Sequence, residues 1–97
     1  MIIASLAVFP TSEGASVSRY VKHVIRVIKD SGLKSVTGGM ATTIESPDLE
    51  TLFRVIERAH QTLVDMDVKR IHMDLHIDHR LDKDASILTK LQALEKD

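Results

Sequence analysis

The topology follows from the segment KSVTGGMATTIE (residues 34–45), which lies between two stretches with helical periodicity. Lys34–Thr37 is predicted to be a short strand, and Met40–Glu45 its hairpin partner, with a Gly38-Gly39 turn between them. A glycine pair lets the backbone turn tightly and leaves room that a side chain would otherwise fill. Two threonines and a carboxylate follow the turn, so the segment indicates a small-molecule recognition site rather than a catalytic one.

The residues before this segment predict a strand and a helix. Ile2–Phe9 is apolar on both faces, as in a strand that is covered on both sides, and Pro10 ends it. Ser16 is expected to be the N-cap of the first helix, and Gly32 to follow its last turn in the left-handed conformation. The apolar positions of this helix are Val17, Val21, Val24, Ile25 and Ile28.

The residues after the hairpin predict a second helix, a fourth strand and a third helix. Ser46-Pro47-Asp48 has the features of a helix start, with Ser46 as the cap. The strand spans about Arg70–Asp78, where apolar residues alternate with His72, Asp74, His76 and Asp78. The stripe of the second helix is Leu49, Leu52, Phe53, Ile56, His60, Leu63 and Val64; that of the third is Ile87, Leu88, Leu91 and Leu94.

The element order is therefore β-α-β-β-α-β-α. Strand-helix-strand units close with right-handed crossovers, which favours a four-stranded antiparallel sheet with two helices on one face. We expect an α+β, ferredoxin-like sandwich with an additional C-terminal helix, in the strand order fourth-first-third-second. Residues 1–97 are expected to form a single domain, because no linker or repeat divides them.

Composition excludes several classes of function. The net charge is −1 with acids and bases interspersed, which argues against a nucleic-acid or membrane surface. The chain has no cysteine, which excludes disulfides and thiol chemistry and fits a cytoplasmic location. Residues 1–9 are apolar but lack a basic leader and are too short to span a bilayer, so they are expected to be a strand.

The sheet face without the two crossover helices predicts self-association. It is expected to carry Ile3, Ala7 and Phe9 beside the polar row of the last strand. An apolar strip of this kind is more than a monomer usually exposes, and the third helix offers a further contact across a subunit boundary. We therefore expect a homo-oligomer.

Candidate ligand-binding residues converge at one end of the predicted sandwich. Ser16 and Ser18 begin the first helix there, the glycine turn lies beside them, and His60 is in the C-terminal half of the second helix. Ser16 can serve as a helix cap, as a ligand contact or as both, and a histidine on an apolar stripe is most often a core residue. Tyr20 can cover the sheet edge or contact a ligand.

Other chemistries fit the sequence less well. The row His72, Asp74, His76 resembles a partial zinc site, but no further ligand stands out, so we interpret it as the outer face of a strand. Glu45 and the Asp78, Arg80, Asp82 group are expected at the opposite end, where ion pairs or interface contacts are the better interpretation. Catalytic residues, a metal and a cofactor are therefore not predicted.

Nearly the whole chain resembles the small thiamine-binding proteins of the YkoF-like type. The resemblance rests on Ser16-x-Ser18-x-Tyr20-Val21, Gly39-Met40-x-Thr42-x-x-Glu45, Ala59-His60 and Ile77-Asp78-x-Arg80-x-Asp82. It implies a ferredoxin-like subunit that assembles into dimers and tetramers and binds thiamine or its hydroxymethylpyrimidine half, without catalysis. Ala41 stands where the family pattern has a second glycine, and His72, His76 and His79 lie outside that pattern.

The candidate binding residues and the family resemblance together predict a binding protein that acts as a carrier or sensor. An aminopyrimidine needs a narrow apolar slot with a few converging polar groups, for which the candidates are Ser16, Ser18, Gly39, Met40, Thr42 and His60. The alternative is a regulatory oligomer that binds another metabolite between subunits. An enzyme and an RNA-binding module rank below both, because the chain shows no base–nucleophile pair and its strands lack the set of stacking aromatic residues that RNA-binding sheets use.

Overall fold

The computed structural model describes residues 1–95 and confirms the predicted order of elements. The strands are β1 (Ile2–Pro10), β2 (Lys34–Thr37), β3 (Thr42–Ser46) and β4 (Ile71–His79); the helices are α1 (Ser18–Asp30), α2 (Leu49–Asp65) and α3 (Ile87–Glu95).

The strands form one antiparallel sheet in the order β2-β3-β1-β4, which confirms the ferredoxin-like prediction. β1 pairs with a strand on each side: Ala4 of β1 lies opposite Ile44 of β3 on one side and opposite Ile77 of β4 on the other. Because side chains alternate along a strand, these three residues share the face that α1 and α2 cover. We call it the helix face, and the other side of the sheet the open face.

The core lies between the helix face and the two long helices. Even-numbered β1 side chains from Ile2 to Val8 are buried there, together with Ile44 of β3 and Ile28 of α1. α2 contributes Leu52, Val55, Ile56, Ala59 and Leu63. The buried face of α2 is thus rotated from the predicted stripe, since Val55 and Ala59 are buried while Leu49, Phe53 and Val64 are exposed.

The predicted helix caps were wrong at both long helices. α1 begins at Ser18, and its cap position is occupied by Val17, which makes no side-chain cap hydrogen bond. Ser16 is exposed in the preceding loop, whereas Val17 is half-buried, so packing of an apolar side chain outweighs the cap that serine offers. At the other end of α1, Gly32 has φ = +83°, the predicted left-handed conformation.

Asp48, not Ser46, is the N-cap of α2. Its side chain accepts a 2.7 Å hydrogen bond from the backbone N–H of Thr51, which holds the pKa of that carboxyl below its ordinary value. Ser46 ends β3 instead, fully buried, with its hydroxyl donating to the carbonyl of Asp48 at 2.8 Å. The residue before a proline avoids the helical conformation, which keeps Ser46 in the strand.

The third helix packs against the open face near the start of β1. Glu45 of β3 accepts a 2.8 Å hydrogen bond from the backbone N–H of Ile87, and Lys90 pairs with Asp78 of β4 at 2.6 Å. This arrangement explains why Ile3 is buried, while Ala7 and Phe9 farther along the open face are only half-buried. No helix within residues 1–95 has both the length and the apolar character needed to cross a membrane.

Candidate functional site

A cavity of about 330 Å³ lies between α1 and the sheet, beside the β2–β3 turn. This volume is at the lower end of the range that small-molecule sites occupy. Its lining comes from three parts of the chain: the second half of β1 (Leu6, Ala7, Val8 and Phe9), the inner face of α1 (Val17, Val21, Val24, Ile25 and Ile28), and the hairpin (Thr37, Gly38, Gly39, Met40, Ala41 and Thr42).

Polar side chains enter this apolar lining at one place, the end of the hairpin. Thr37 and Thr42 are cross-strand partners, and both lie on the helix face of the sheet, toward the cavity. Thr42 is only 6% exposed, and within residues 1–95 its hydroxyl forms no hydrogen bond with the protein. A hydroxyl in this setting can both donate to and accept from a ligand.

The hairpin turn spans four residues rather than the predicted two. The backbone N–H of Gly38 donates to the carbonyl of Ala41 at 2.8 Å, so Met40 and Ala41 belong to the turn and β3 starts at Thr42. Neither Gly38 nor Gly39 has a positive φ, so this turn does not need glycine for a left-handed backbone.

The two glycines differ in the space beside them. A Cβ on Gly38 would lie 3.1 Å from the carbonyl oxygen of Ala41, a close contact that glycine avoids. A Cβ on Gly39 would meet no atom within 4 Å. The unfilled space that the sequence predicts beside the turn is therefore found at Gly39.

Met40 lies at the rim of the cavity and is 93% exposed. A methionine is flexible and polarizable, so it can adapt its shape to an apolar partner at low cost. Its position beside an apolar cavity allows this side chain to cover a bound molecule.

Three of the six predicted ligand-binding residues line the cavity and three do not. Gly39, Met40 and Thr42 line it. Ser16 and Ser18 are exposed at the head of α1, outside the lining.

His60 is also outside the lining, for a reason that concerns the orientation of α2. A surface groove between α1 and α2 is bordered by Arg58 and Thr62, so these residues mark the flank of α2 that faces α1. At 100° per residue, His60 falls on the opposite flank, beside β4. The topology therefore places His60 at the expected end of the sandwich but not in the cavity.

Tyr20 is held by a neighbouring loop. Its hydroxyl donates to Oε1 of Glu13 at 3.1 Å, and its ring packs against the core. Partial burial and this carboxylate raise the pKa of Tyr20 above its ordinary value. The contact favours the structural interpretation of Tyr20 over a ligand contact.

Sequence reasoning missed Thr37 and most of the α1 side chains in the lining. Thr37 was detectable, because a tight hairpin places it opposite Thr42 and thus on the same face. The valines of α1 were recognised as a core stripe. The periodicity of a helix predicts its apolar face, but it does not show where the sheet leaves the space opposite that face unfilled.

The charged groups singled out in the sequence lie away from the cavity. His72, Asp74, His76 and Asp78 form a row on the open face, where His72 Nε2 lies 3.0 Å from Asp74 Oδ2. No three His, Asp or Glu side chains within residues 1–95 are grouped so that they could hold a metal ion. The cavity lining carries no charged side chain, so shape and neutral hydrogen bonds are the means of recognition that it offers.

Comparison with known proteins places this architecture in a family. The family model for thiamine-binding proteins matches residues 4–95. The UPF0045 protein MJ1052 of Methanocaldococcus jannaschii is 40% identical over 93 residues, which cover 96% of this chain and 91% of that protein. Its crystal structure superposes with a TM-score of 0.90, covering 98% of this chain and 96% of that one.

A more distant structure shares the fold. A Thermotoga maritima protein that has been proposed to act in thiamine biosynthesis or salvage superposes with a TM-score of 0.81 at 22% identity, covering 96% of this chain and 97% of that one. Since the family model spans almost the full length, the chain belongs to the thiamine-binding protein family.

Proposed function

We propose that this protein binds thiamine or its hydroxymethylpyrimidine moiety in the cavity between α1 and the β2–β3 hairpin. The observation that carries the proposal is an apolar cavity with one polar corner, formed by Thr37 and Thr42, in a chain of the thiamine-binding family. An aminopyrimidine has flat apolar faces and a polar edge, and this lining complements both.

The proposed contacts are of two kinds, apolar contacts to the faces of the ring and polar contacts to its edge. The valines of α1 and the end of β1 pack against the faces of the ring, and Met40 covers it from the rim. The Thr42 hydroxyl, supported by Thr37, hydrogen-bonds the nitrogen-bearing edge. Backbone groups at Gly39 are accessible because no side chain covers them.

A phosphorylated ester is a poorer ligand for this site. No lysine or arginine lines the cavity, and burial of phosphate without a cationic partner is costly. We therefore expect thiamine to bind more tightly than its diphosphate.

We infer a carrier or sensor role without catalysis. The residues that line the cavity include no acid, histidine or lysine that could serve as a general base beside a threonine hydroxyl. Cytoplasmic action as a homodimer or homotetramer completes the proposal and agrees with the family resemblance.

Isothermal titration calorimetry with a matched pair of variants tests the site. Thr42→Val keeps the shape of the side chain and removes the hydroxyl, so the affinity for thiamine should fall about tenfold, or about 1.4 kcal/mol. Thr43→Val is the control, because Thr43 points to the open face from the same strand. Equal affinities of the two variants would refute the assigned polar contact.

A second variant tests the cavity itself. Val21→Phe places a larger side chain in the space between α1 and the sheet, so binding of thiamine and of hydroxymethylpyrimidine should be lost. The measurement is a thermal-shift assay, in which the wild-type melting temperature rises with ligand and that of Val21→Phe does not. A ligand-dependent rise in Val21→Phe equal to that of the wild type would contradict this location.

The exposure of Met40 favours one alternative, a ligand-responsive regulatory oligomer with a different metabolite at a subunit interface. In that case Met40 contacts a neighbouring subunit, and ligand changes the state of assembly. Light scattering with and without thiamine separates the two functions, because a carrier or sensor with its site inside one subunit keeps the same mass.

A further inference from the structure

The outward face of α1 carries basic side chains on each of its turns. Their spacing of three or four residues places them on one side of the helix, about 15 Å long. The first four also surround a surface depression of about 230 Å³. We call these exposed residues the basic stripe: Arg19, Lys22, His23, Arg26 and Lys29.

The charge of the basic stripe is not neutralised inside the chain. Within residues 1–95, none of its members forms an ion pair with a carboxylate. The guanidinium of Arg19 lies instead over the ring of Tyr20, 5.2 Å from its centre. An arginine that stacks on an aromatic ring can still donate its N–H groups to an anion. The positive charge is therefore available to a molecule outside the chain.

The basic stripe is unfavourable for the helix that carries it. Like charges three or four residues apart repel, and a cation in the first turn opposes the helix dipole. Arg19 occupies the first turn of α1, which contains no acid. The neighbouring α2 shows the favourable arrangement, since Asp48 caps it and Glu50 pairs with Arg54 at 2.7 Å. A local departure from the rules that stabilise a helix is typical of a functional surface.

The charges beside the basic stripe limit the shape of its partner. α1 and α2 lie side by side, and the groove between them carries the carboxylates of Asp30 and Asp65. A membrane surface that covers both helices meets these carboxylates as well, and like charges repel. The layer of two helices, about 20 Å wide, is also too broad for the major groove of DNA, which is about 12 Å wide. The basic stripe therefore fits a narrow acidic element.

We propose that the basic stripe docks an acidic helix of a protein partner, which lies alongside α1. Glutamates or aspartates three or four residues apart on such a helix recur about every 5.4 Å, as the cations of the stripe do. Same-face positions of an extended strand recur about every 6.6 Å and fall out of step with the stripe. Carboxylates are matched partners for guanidinium and ammonium groups.

The proposed contact is transient and independent of the ligand cavity. A contact confined to one polar helix face is small and lacks an apolar anchor, as in short-lived complexes that charge complementarity guides. Val21 and Val24 line the cavity from the inner face of α1, opposite the stripe. Docking and ligand binding are therefore separable, and either proposal can fail without the other.

Two fluorescent peptides of equal composition test the geometry of docking. Both are alanine-based, contain five glutamates and are held helical by a hydrocarbon staple. One carries its glutamates on a single face, three or four residues apart, and the other distributes them around the helix. Fluorescence anisotropy should show that the single-face peptide binds roughly fivefold tighter or more, and that salt weakens this binding. Equal affinities of the two peptides, or binding that salt does not affect, would overturn the proposal.

Charge reversal on the two helices tests the location. Lys22→Glu together with Arg26→Glu should weaken binding of the single-face peptide by about tenfold or more. The control is Arg54→Glu together with Arg58→Glu, which gives the same net charge through exposed positions of α2. The control should change the affinity by less than about twofold. Equal losses in the two double variants would mean that net charge alone governs binding.

Thermal unfolding tests the cost of the basic stripe. Lys22→Glu places a carboxylate three residues from Arg19 and four from Arg26, so the melting temperature should rise by a few degrees. Lys22→Gln removes the charge without adding an attraction and should give a smaller rise. A lower melting temperature for Lys22→Glu would contradict the unfavourable charge arrangement from which docking is inferred.

Other occupants of the stripe are separate outcomes. Single-stranded DNA or phosphatidylserine vesicles that bind more tightly than the single-face peptide at physiological salt would overturn the assignment to a protein partner. A change of mass in light scattering for Lys22→Glu with Arg26→Glu would assign the stripe to self-association instead. Circular dichroism verifies the fold of each variant. Calorimetry with thiamine on the same double variant should give the wild-type result, because neither residue lines the cavity.

Discussion

The two ends of the helix–sheet sandwich differ in how completely they are filled. At the end where β1 begins, Ile2, Ser46 and Leu52 are at most 1% exposed. At the other end a cavity of about 330 Å³ lies between the same layers and is open to solvent, and Met40 beside it is almost fully exposed. We refer to these as the closed end and the cavity end.

The two ends are filled to different degrees because their side chains differ in volume. The closed end is filled by isoleucine and leucine side chains such as Ile2 and Leu52, which belong to the buried core. At the cavity end, Val17 and Val21 face a turn made of Gly38, Gly39 and Ala41, which is too small to reach them. The closed end therefore supplies stability, and the cavity end is left with unfilled space, which is where we propose that the ligand binds.

The largest expected effect comes from opening the closed end. Leu52→Ala removes a fully buried side chain and leaves a second cavity, so the free energy of unfolding should fall by about 2–5 kcal/mol. Urea denaturation measures this loss. Leu94→Ala is the control, because Leu94 is 79% exposed and its truncation should change stability by less than about 0.5 kcal/mol. A small loss for Leu52→Ala would mean that the closed end is not well packed.

A smaller effect distinguishes the two glycines of the cavity end. Gly39→Ala should stabilise the fold by about 0.4–1 kcal/mol, because no atom obstructs the added methyl group and the unfolded chain loses entropy. Gly38→Ala should not show this gain, since its Cβ must displace the Ala41 carbonyl that accepts the Gly38 hydrogen bond. Thermal unfolding of both variants provides the comparison, and identical shifts would contradict it.

The smallest effect concerns the cap of α2 at the closed end. The folded-state pKa of Asp48 is lowered by the hydrogen bond from Thr51, so its carboxylate stabilises the fold above the unfolded-state value of roughly 3.9. This contribution is lost as the pH falls through the lowered folded-state pKa. Asp48→Asn keeps a capping side chain without the charge.

The difference in unfolding free energy between the wild type and Asp48→Asn should therefore be constant near neutral pH and shrink as the solution is acidified below about pH 4. Urea titrations at several pH values measure it. A difference that does not change with pH would mean that the ionised carboxylate adds nothing to the cap.

Local patterns in the sequence were sufficient to predict the fold. The alternation in β4, the apolar β1 and the glycine at position 32 are signals that depend on near neighbours in the chain, and the structure confirms each of them. The predicted caps failed at Ser16 and Ser46, because capping also depends on where neighbouring apolar residues and prolines must lie.

The candidate site was predictable only in part. Gly39, Met40 and Thr42 were found because they belong to the β2–β3 hairpin that lines the cavity. His60 was placed at the correct end, but on a helix flank that faces away from α1. A helix has two flanks beside its buried face. In α2 one flank is apolar although it is exposed, and the predicted stripe followed that flank.

Taken by itself, the sequence determined the order of the elements and the strand order, because these follow from periodicity, from turn residues and from the handedness of chain crossovers. The resemblance to the thiamine-binding family rests instead on the identity and order of its motif residues. Only the tertiary structure decided where empty space remains and which flank of α2 is exposed. These properties depend on the volumes of residues distant in sequence, which meet only when the helices settle on the sheet.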